Sequence, residues 1–152
     1  MKIKGDVEMN KVHYSTGKDD WTTPQDLFDE LNQEFNFTLD PCCNVENAKC
    51  KKFYTEKDDG LLQDWGGERV FVNPPYSKKG KQDQWVEKCY TESRKSNTVV
   101  VALLPARTDT KRFHEYILNK SEIRFLPGRL KFGGAKNPAP FPSMIVIWKN
   151  CD

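Results

Sequence analysis

The stretch that decides the fold is Val70-Phe71-Val72-Asn73-Pro74-Pro75-Tyr76-Ser77. Its first three residues are β-branched or aromatic, which is typical of a buried strand. Two consecutive prolines cannot donate hydrogen bonds to a sheet, so the strand is predicted to end at Asn73. The prolines also restrict the backbone, and the resulting stiff loop presents an amide, bare carbonyls and an aromatic ring. Open parallel sheets bind ligands at this carboxyl edge.

Such a loop suits the methylation of a planar amino group. The nitrogen of an exocyclic amine or a carboxamide is a poor nucleophile because its lone pair is delocalised. Two acceptors aimed at its hydrogens would pull it toward tetrahedral geometry and stabilise the charge that develops. The Asn73 side-chain oxygen and the Pro74 carbonyl could supply them, while Pro75 stiffens the corner and Tyr76 stacks on the base. These four residues are the candidate catalytic residues.

The rest of the chain alternates short apolar runs with amphipathic segments. This alternation predicts an α/β sandwich with a mostly parallel sheet. Thr23 is expected to cap the first helix and Pro24 to occupy its first position. Later helices are predicted over 82–95 and after Thr110, and strands over 37–39, 70–72, 98–104, 123–126 and 143–148. Phe53-Tyr54 is a further strand candidate.

Composition restricts the classes of protein that this chain can be. The 24 basic and 22 acidic residues nearly cancel, so the net charge of +2 predicts nucleic-acid binding only through a local basic patch. No run is long enough to span a membrane, and the N-terminus lacks a secretory apolar core, which predicts an intracellular protein. The five cysteines suit neither a disulfide framework nor a zinc site, so no metal is predicted. Residues 1–20 are predicted to be a flexible tail, and residues 21–152 one domain.

Several further segments match one family in order along the chain. Together with the Asn73 loop, they resemble the small phage-type DNA adenine-N6 methyltransferases, over roughly Trp21 to Trp148. The resemblance implies a Rossmann-like S-adenosylmethionine-dependent methyltransferase fold, with an antiparallel last strand and helices on both faces. The matching segments are Trp21-Thr22-Thr23-Pro24, Leu39-Asp40-Pro41-Cys42, Asp59-Gly60-Leu61, Asp64-Trp65, Leu103-Leu104-Pro105-Ala106-Arg107-Thr108 and Gly128-Arg129-Leu130-Lys131-Phe132.

The resemblance also implies S-adenosylmethionine as the cofactor and residues that would hold it. The segment before the first helix would lie against the methionine part. Asp40-Pro41-Cys42 would replace the glycine-rich turn of larger methyltransferases. An acid, either Asp59 or Asp64, would hold the adenine amino group of the cofactor. The candidate cofactor-binding residues are Trp21, Thr22, Thr23, Pro24, Asp40, Pro41, Cys42, Asp59 and Asp64.

The implied substrate is an adenine in double-stranded DNA. A stacked adenine is inaccessible, so the base would have to flip out into the Asn73 loop. The candidate DNA contacts are basic residues near the carboxyl edge of the sheet: Lys78, Lys79, Lys81, Arg107, Arg129 and Lys131. No membrane partner is expected. Two subunits could pair to cover the DNA, and a phage-type enzyme would act in the cytoplasm of its bacterial host.

Two alternatives remain open at this point. Protein methyltransferases that act on a glutamine amide also carry an Asn-Pro-Pro-Tyr loop, because an amide nitrogen poses the same electronic problem. They usually contain a glycine-rich cofactor turn, which this sequence lacks. The other alternative is a nucleic-acid-binding module without catalytic activity, which the lysine and arginine loops would support.

Overall fold

The computed structural model describes residues 21–76 and 81–150. The predicted tail over residues 1–20, together with Lys78 and Lys79, lies outside the described residues. Within the described residues, two α-helices and six strands form the framework. In chain order these are α1 (Gln25–Phe35), β1 (Leu39–Asp40), β2 (Lys52–Phe53), β3 (Arg69–Val72), α2 (Lys81–Ser93), β4 (Val99–Pro105), β5 (Glu122–Phe125) and β6 (Ser143–Lys149). A 3₁₀ turn, Gly60–Leu62, precedes β3, and a π-helical turn, Phe113–Ile117, follows β4.

The six strands form one sheet in the order β2-β1-β3-β4-β6-β5. The strands β2, β1, β3 and β4 run parallel to their neighbours, whereas β6 is antiparallel to both β4 and β5. The last strand is therefore antiparallel, as predicted. The carboxyl ends of β1, β3 and β4 meet at one edge, and the loop after β3 begins there with Asn73.

Strand residues alternate between two apolar layers, one on each face of the sheet. Val70 and Val72 of β3 pack with Trp85, Val86 and other α2 residues. Phe71 points to the opposite face, where it packs with α1. Because each helix buries its apolar side on a different face, the mixed α/β protein has helices on both faces, as predicted. The described part of the chain contains no helix with the length and apolarity that a membrane span requires.

Two local predictions at the start of the fold were wrong. Pro24 occupies the N-cap of α1 rather than its first position, and no side chain caps the helix. The Thr23 hydroxyl instead accepts a hydrogen bond from Asn73, which lies far away in sequence. The first strand was predicted over residues 37–39 but forms at Leu39–Asp40, where Leu39 pairs with Val70. The Thr38 N–H already donates to the Arg69 carbonyl just before this pairing.

Candidate active site

A cavity of about 920 Å³ opens at the carboxyl ends of β1 and β3. Its walls are formed by the segment before α1, the loops after β1, β2 and β3, the 3₁₀ turn and the start of α2. Its volume is within the range of small-molecule sites, and its place is the sheet edge where the sequence predicted ligand binding. The predicted site residues that line it are Trp21, Thr22, Thr23, Asp40, Pro41, Cys42, Asp59, Asn73, Pro75 and Lys81.

The Asn73 side chain is held in one orientation. Its Nδ2 donates to the Trp21 carbonyl oxygen at 2.6 Å and to Thr23 Oγ1 at 3.0 Å. A backbone carbonyl can only accept, so the amide nitrogen must be the atom on that side. The Asn73 Oδ1 atom is consequently turned the other way, where it is buried and accepts no hydrogen bond from any described residue. A buried acceptor without a donor is unusual in a folded protein, and a ligand N–H group could supply the missing hydrogen bond.

The two prolines that follow are held from α2. Pro74 is buried, whereas Pro75 is half-buried and lines the cavity. The Gln82 Nε2 atom donates to the Pro75 carbonyl at 2.8 Å and lies 3.4 Å from the Pro74 carbonyl. The sequence offered no reason to single out Gln82, because the contact joins a loop to a helix across residues 77–80.

Tyr76 belongs to an aromatic cluster with Trp21, Phe132 and Phe141. The Tyr76 ring lies nearly parallel to the rings of Trp21 and Phe141, with centroids 5.5 and 5.3 Å away. The Trp21 and Phe141 centroids are themselves only 5.3 Å apart. Rings on opposite faces of Tyr76 would be separated by roughly 7 Å, two stacking layers of about 3.5 Å each. Trp21 and Phe141 therefore lie on the same side of the tyrosine and do not sandwich it.

Asp40 braces the cavity wall from inside. Its carboxylate accepts hydrogen bonds from the backbone N–H groups of Cys42 at 3.3 Å and Lys49 at 3.0 Å, so it closes the loop after β1. The side chain is only 4% exposed. Burial raises the pKa of Asp40 to about 6, although the two backbone donors favour the ionised form.

Asp59 enters the cavity wall at a tight turn. Its backbone has a φ of 56°, a left-handed conformation that aspartate tolerates better than most residues. Gly60 follows, and a Cβ atom there would lie 2.1 Å from the Pro41 carbonyl oxygen, so only glycine lets the turn approach the loop after β1. Trp65 Nε1 donates to the Gly60 carbonyl at 3.0 Å and anchors the turn to the core.

The structure brings Asp59 to the cavity but not Asp64. The Asp64 side chain is 78% exposed and forms an ion pair with Lys95 at the end of α2, which lowers its pKa. Pro24, the N-cap of α1, also lies outside the residues that line the cavity. Of the two acids that the sequence left open for the cofactor adenine, only Asp59 lines the cavity.

The predicted DNA contacts are spread around the mouth of the site. Lys81 lines the cavity, and the Arg107 guanidinium lies 5.7 Å from the centre of the Phe141 ring. Arg129 and Lys131 are exposed. The chain just after them contacts the cavity wall, because the Gly133 N–H donates to the Thr22 carbonyl at 2.9 Å. Four of the six predicted residues are thus placed, and Lys78 and Lys79 fall outside the described residues.

Sequence reasoning did not single out several other residues of the cavity wall. Trp85 was expected only as a core residue of the second helix, and the polar loop around Glu56 carried no recognisable signal. Burial raises the pKa values of Cys43 and Cys50, which keeps these thiols protonated. Within residues 21–76 and 81–150, no cluster of His, Cys, Asp or Glu could hold a metal ion. The missed lining residues are Cys43, Asn44, Asn47, Lys49, Thr55, Glu56, Lys57, Gly60, Leu61, Phe71 and Trp85.

Comparison with known proteins gives one consistent result. Residues 11–152 match the family described as DNA N-6-adenine-methyltransferase (Dam). The chain is 36% identical over 140 residues to the DNA N-6-adenine-methyltransferase of Haemophilus phage HP1 (strain HP1c1). This alignment covers 87% of this chain and 79% of that protein. It is 33% identical over 115 residues to the DNA N-6-adenine-methyltransferase of Escherichia phage T1. This second alignment covers 74% of this chain and 47% of that protein.

Proposed function

Because the chain belongs to the DNA N-6-adenine-methyltransferase (Dam) family, we propose that this adenine-specific DNA methyltransferase takes its methyl group from S-adenosylmethionine and acts on a flipped adenine. The observation that carries the mechanism is the buried Asn73 Oδ1 atom, which is left without a donor beside the cavity. The domain proposed for this activity is residues 21–152, with a Rossmann-like arrangement of the sheet.

The chain's own contribution to the chemistry is to polarise the adenine amine. Asn73 Oδ1 and the Pro74 carbonyl oxygen each accept one N6 hydrogen, which draws the lone pair out of conjugation with the ring. Both acceptors are fixed before the substrate arrives, so they stabilise the positive charge on nitrogen without reorganising. When bound, S-adenosylmethionine supplies a methyl group activated by its sulfonium sulfur. No side chain has to act as a strong base, because the product amine loses its extra proton readily.

The residues of the cavity wall fit the proposed cofactor. The Trp21–Thr23 segment reaches the cavity beside Asn73, which suits the methionine part near the reacting methyl group. Asp59 also lines the cavity, where its carboxylate would hold the adenine amino group, and Leu61 beside it would offer an apolar surface for the ring. Asp40, Pro41 and Cys42 line the same cavity, and the buried Asp40 favours a positively charged group nearby.

Tyr76 is the proposed platform for the flipped base. Its ring packs against Trp21, Phe132 and Phe141, and Tyr76 directly follows Pro75, which lines the cavity, so a base that enters beside Pro75 would meet this aromatic cluster. Asn73 Oδ1 is closed off from solvent, so entry of the base would require neighbouring side chains to move while the Asn73 amide keeps its orientation. Flipping would supply the unstacked ring that such a pocket requires.

Double-stranded DNA would dock along the basic segment between β5 and β6. Residues 127–142 contain Arg129, Lys131 and Lys136 and no acidic residue. All three side chains are exposed, and none forms an ion pair with another described residue. Phe132 and Phe141 anchor this segment to the aromatic cluster that contains Tyr76, so the charges lie near the proposed base site. Unpaired cations in this position suit phosphate contacts, as do Lys81 and Arg107.

The proposal extends to assembly and location. Pairing of two subunits would let a domain of this size cover both sides of a DNA site. The phage origin of both relatives supports a role in the cytoplasm of a bacterial host, where the DNA substrate lies.

Transfer of a labelled methyl group tests the proposal directly. The protein is incubated with labelled S-adenosylmethionine and duplex DNA, and the DNA is digested to nucleosides for chromatography. We expect the label in N6-methyl-2′-deoxyadenosine, and none when every adenine in the duplex is already N6-methylated. Label in protein glutamine instead, or in no substrate at all, would refute the proposed substrate.

A further inference from the structure

Gln82 is a buried polar residue on the first turn of α2. Its side chain is only 7% exposed, although glutamine is usually a surface residue. The Nε2 atom donates to the Pro75 carbonyl at 2.8 Å and approaches the Pro74 carbonyl at 3.4 Å. Carbonyl oxygens only accept, so the amino group of the carboxamide must face the prolines.

The other half of the same carboxamide has no partner. The Gln82 Oε1 atom is buried and accepts no hydrogen bond from the described residues. An unsatisfied buried acceptor lowers stability, so stability alone would favour an apolar side chain of the same size. The feature that an apolar side chain could not supply is the N–H group directed at the proline carbonyls. Those carbonyls belong to residues that follow the end of β3 at Val72.

We infer that Gln82 is a positioning residue for methyl transfer: its amide holds the Pro75 carbonyl and thereby aims the Pro74 carbonyl at the target amine. The inference rests on the proposed function, in which Pro74 accepts one amine hydrogen. The 2.8 Å hydrogen bond fixes the peptide group between Pro75 and Tyr76, next along the chain from the Pro74 carbonyl, while the 3.4 Å approach leaves the Pro74 oxygen able to accept from substrate. Asn73 is held by the segment before α1, so the two acceptors are positioned from opposite sides.

Gln82→Met tests this role, because methionine keeps the volume of glutamine and removes the donor together with the unpartnered oxygen. We expect kcat for DNA methylation to fall about 10- to 100-fold, since a small misplacement of a reacting group has effects of this size. The KM for S-adenosylmethionine and the thermal unfolding midpoint should stay close to those of the wild type. A merely structural role would instead lower the unfolding midpoint and affect both kinetic constants.

Gln82→Leu provides a second variant if Gln82→Met does not fold, since leucine also removes the donor and the unpartnered oxygen. Gln84→Leu makes the same change at an exposed position of α2 and should leave kcat unchanged. Wild-type kcat in a folded Gln82 variant would overturn the inference and leave the proposed function intact. Absence of transfer by the wild-type protein would overturn the proposed function and this inference together.

Discussion

The side-chain amide of Asn73 donates to the Trp21 carbonyl at 2.6 Å, and this hydrogen bond ties the loop after β3 to the segment before α1. The contact has two consequences. It directs Asn73 Oδ1 away from the Trp21 segment, and it brings a proposed wall of the cofactor site into contact with the proposed base site. Cofactor and base would therefore meet at a position that two distant parts of the chain define together.

The second anchor of Asn73 is the Thr23 hydroxyl. We expect Thr23→Val to lower kcat roughly fivefold, since one neutral hydrogen bond contributes about 1 kcal/mol and its loss leaves the amide freer to rotate. Thr23→Ser keeps the hydroxyl and should retain wild-type turnover. Steady-state kinetics at saturating cofactor separates this effect from any change in cofactor affinity. Equal turnover in the valine variant would show that the Trp21 carbonyl alone orients Asn73.

The two candidate acids should differ in cofactor binding. Asp59→Asn preserves the shape of the side chain and tolerates the left-handed backbone, so it tests the charge alone. We expect the Kd for S-adenosylmethionine to rise about 10- to 100-fold, as for the loss of a hydrogen bond to a charged group. Asp64→Asn is the matched control and should leave the Kd unchanged. Calorimetric titration measures both, and the opposite ranking would assign the role to Asp64.

Asp40 predicts a specific dependence of stability on pH. Its pKa is about 6 in the folded protein against an ordinary value of 3.8, so between these pH values the folded state binds more protons than the unfolded state. The Asp40 contribution to the free energy of unfolding is therefore complete below pH 3.8 and is lost as the pH rises through 6. A shift of this size corresponds to at most about 3 kcal/mol.

Urea unfolding of the wild type and of Asp40→Asn at a series of pH values measures this contribution. The stability of the wild type relative to the variant should fall as the pH rises from 4 to about 6.5, with the decline following the Asp40 titration. Asp109→Asn, at an exposed position, controls for the loss of one carboxyl group. A relative stability that is constant, or that rises with pH, would contradict the assignment.

The basic segment should act on DNA affinity rather than on chemistry. We expect the Arg129→Gln and Lys131→Gln variants to raise the KM for DNA with little change in kcat. The slope of log affinity against log salt should fall by about one for each phosphate contact removed. Lys120→Gln is a suitable control, because Lys120 lies next to the start of β5, at the opposite edge of the sheet. Unchanged salt dependence in both test variants would place the DNA elsewhere.

Much of the fold could be predicted because local patterns determine it. The β-branched run at Val70–Val72 forms β3, and the prolines end that strand at Asn73, as their missing N–H groups require. The continuous apolar run that became β4 is buried on both faces of the sheet, which its composition indicated. The direction of the last strand followed from the family resemblance and not from any local pattern.

The predictions failed, or named no residue, where a side chain contacts a residue that lies far away in the sequence. Thr23 has the composition of a helix cap, but its hydroxyl bonds to Asn73, and no local pattern contains that contact. Asp59 and Asp64 are equally plausible cofactor contacts in the sequence. In the structure Asp64 forms an ion pair with Lys95, just after α2, and does not line the cavity. The contact of Gln82 with the proline carbonyls likewise depends on where α2 begins relative to the loop.

Methyl transfer by Asn73→Ala, measured together with cofactor binding, tests the proposed role of Asn73 most directly. We expect transfer to adenine N6 to fall by about 10²- to 10³-fold, the effect of removing one preorganised hydrogen-bonding group. The Kd for S-adenosylmethionine should stay within about fivefold of the wild type, because only the anchor of the Trp21 segment is lost. Wild-type methylation by a folded Asn73→Ala variant would show that Asn73 Oδ1 does not polarise the adenine amine.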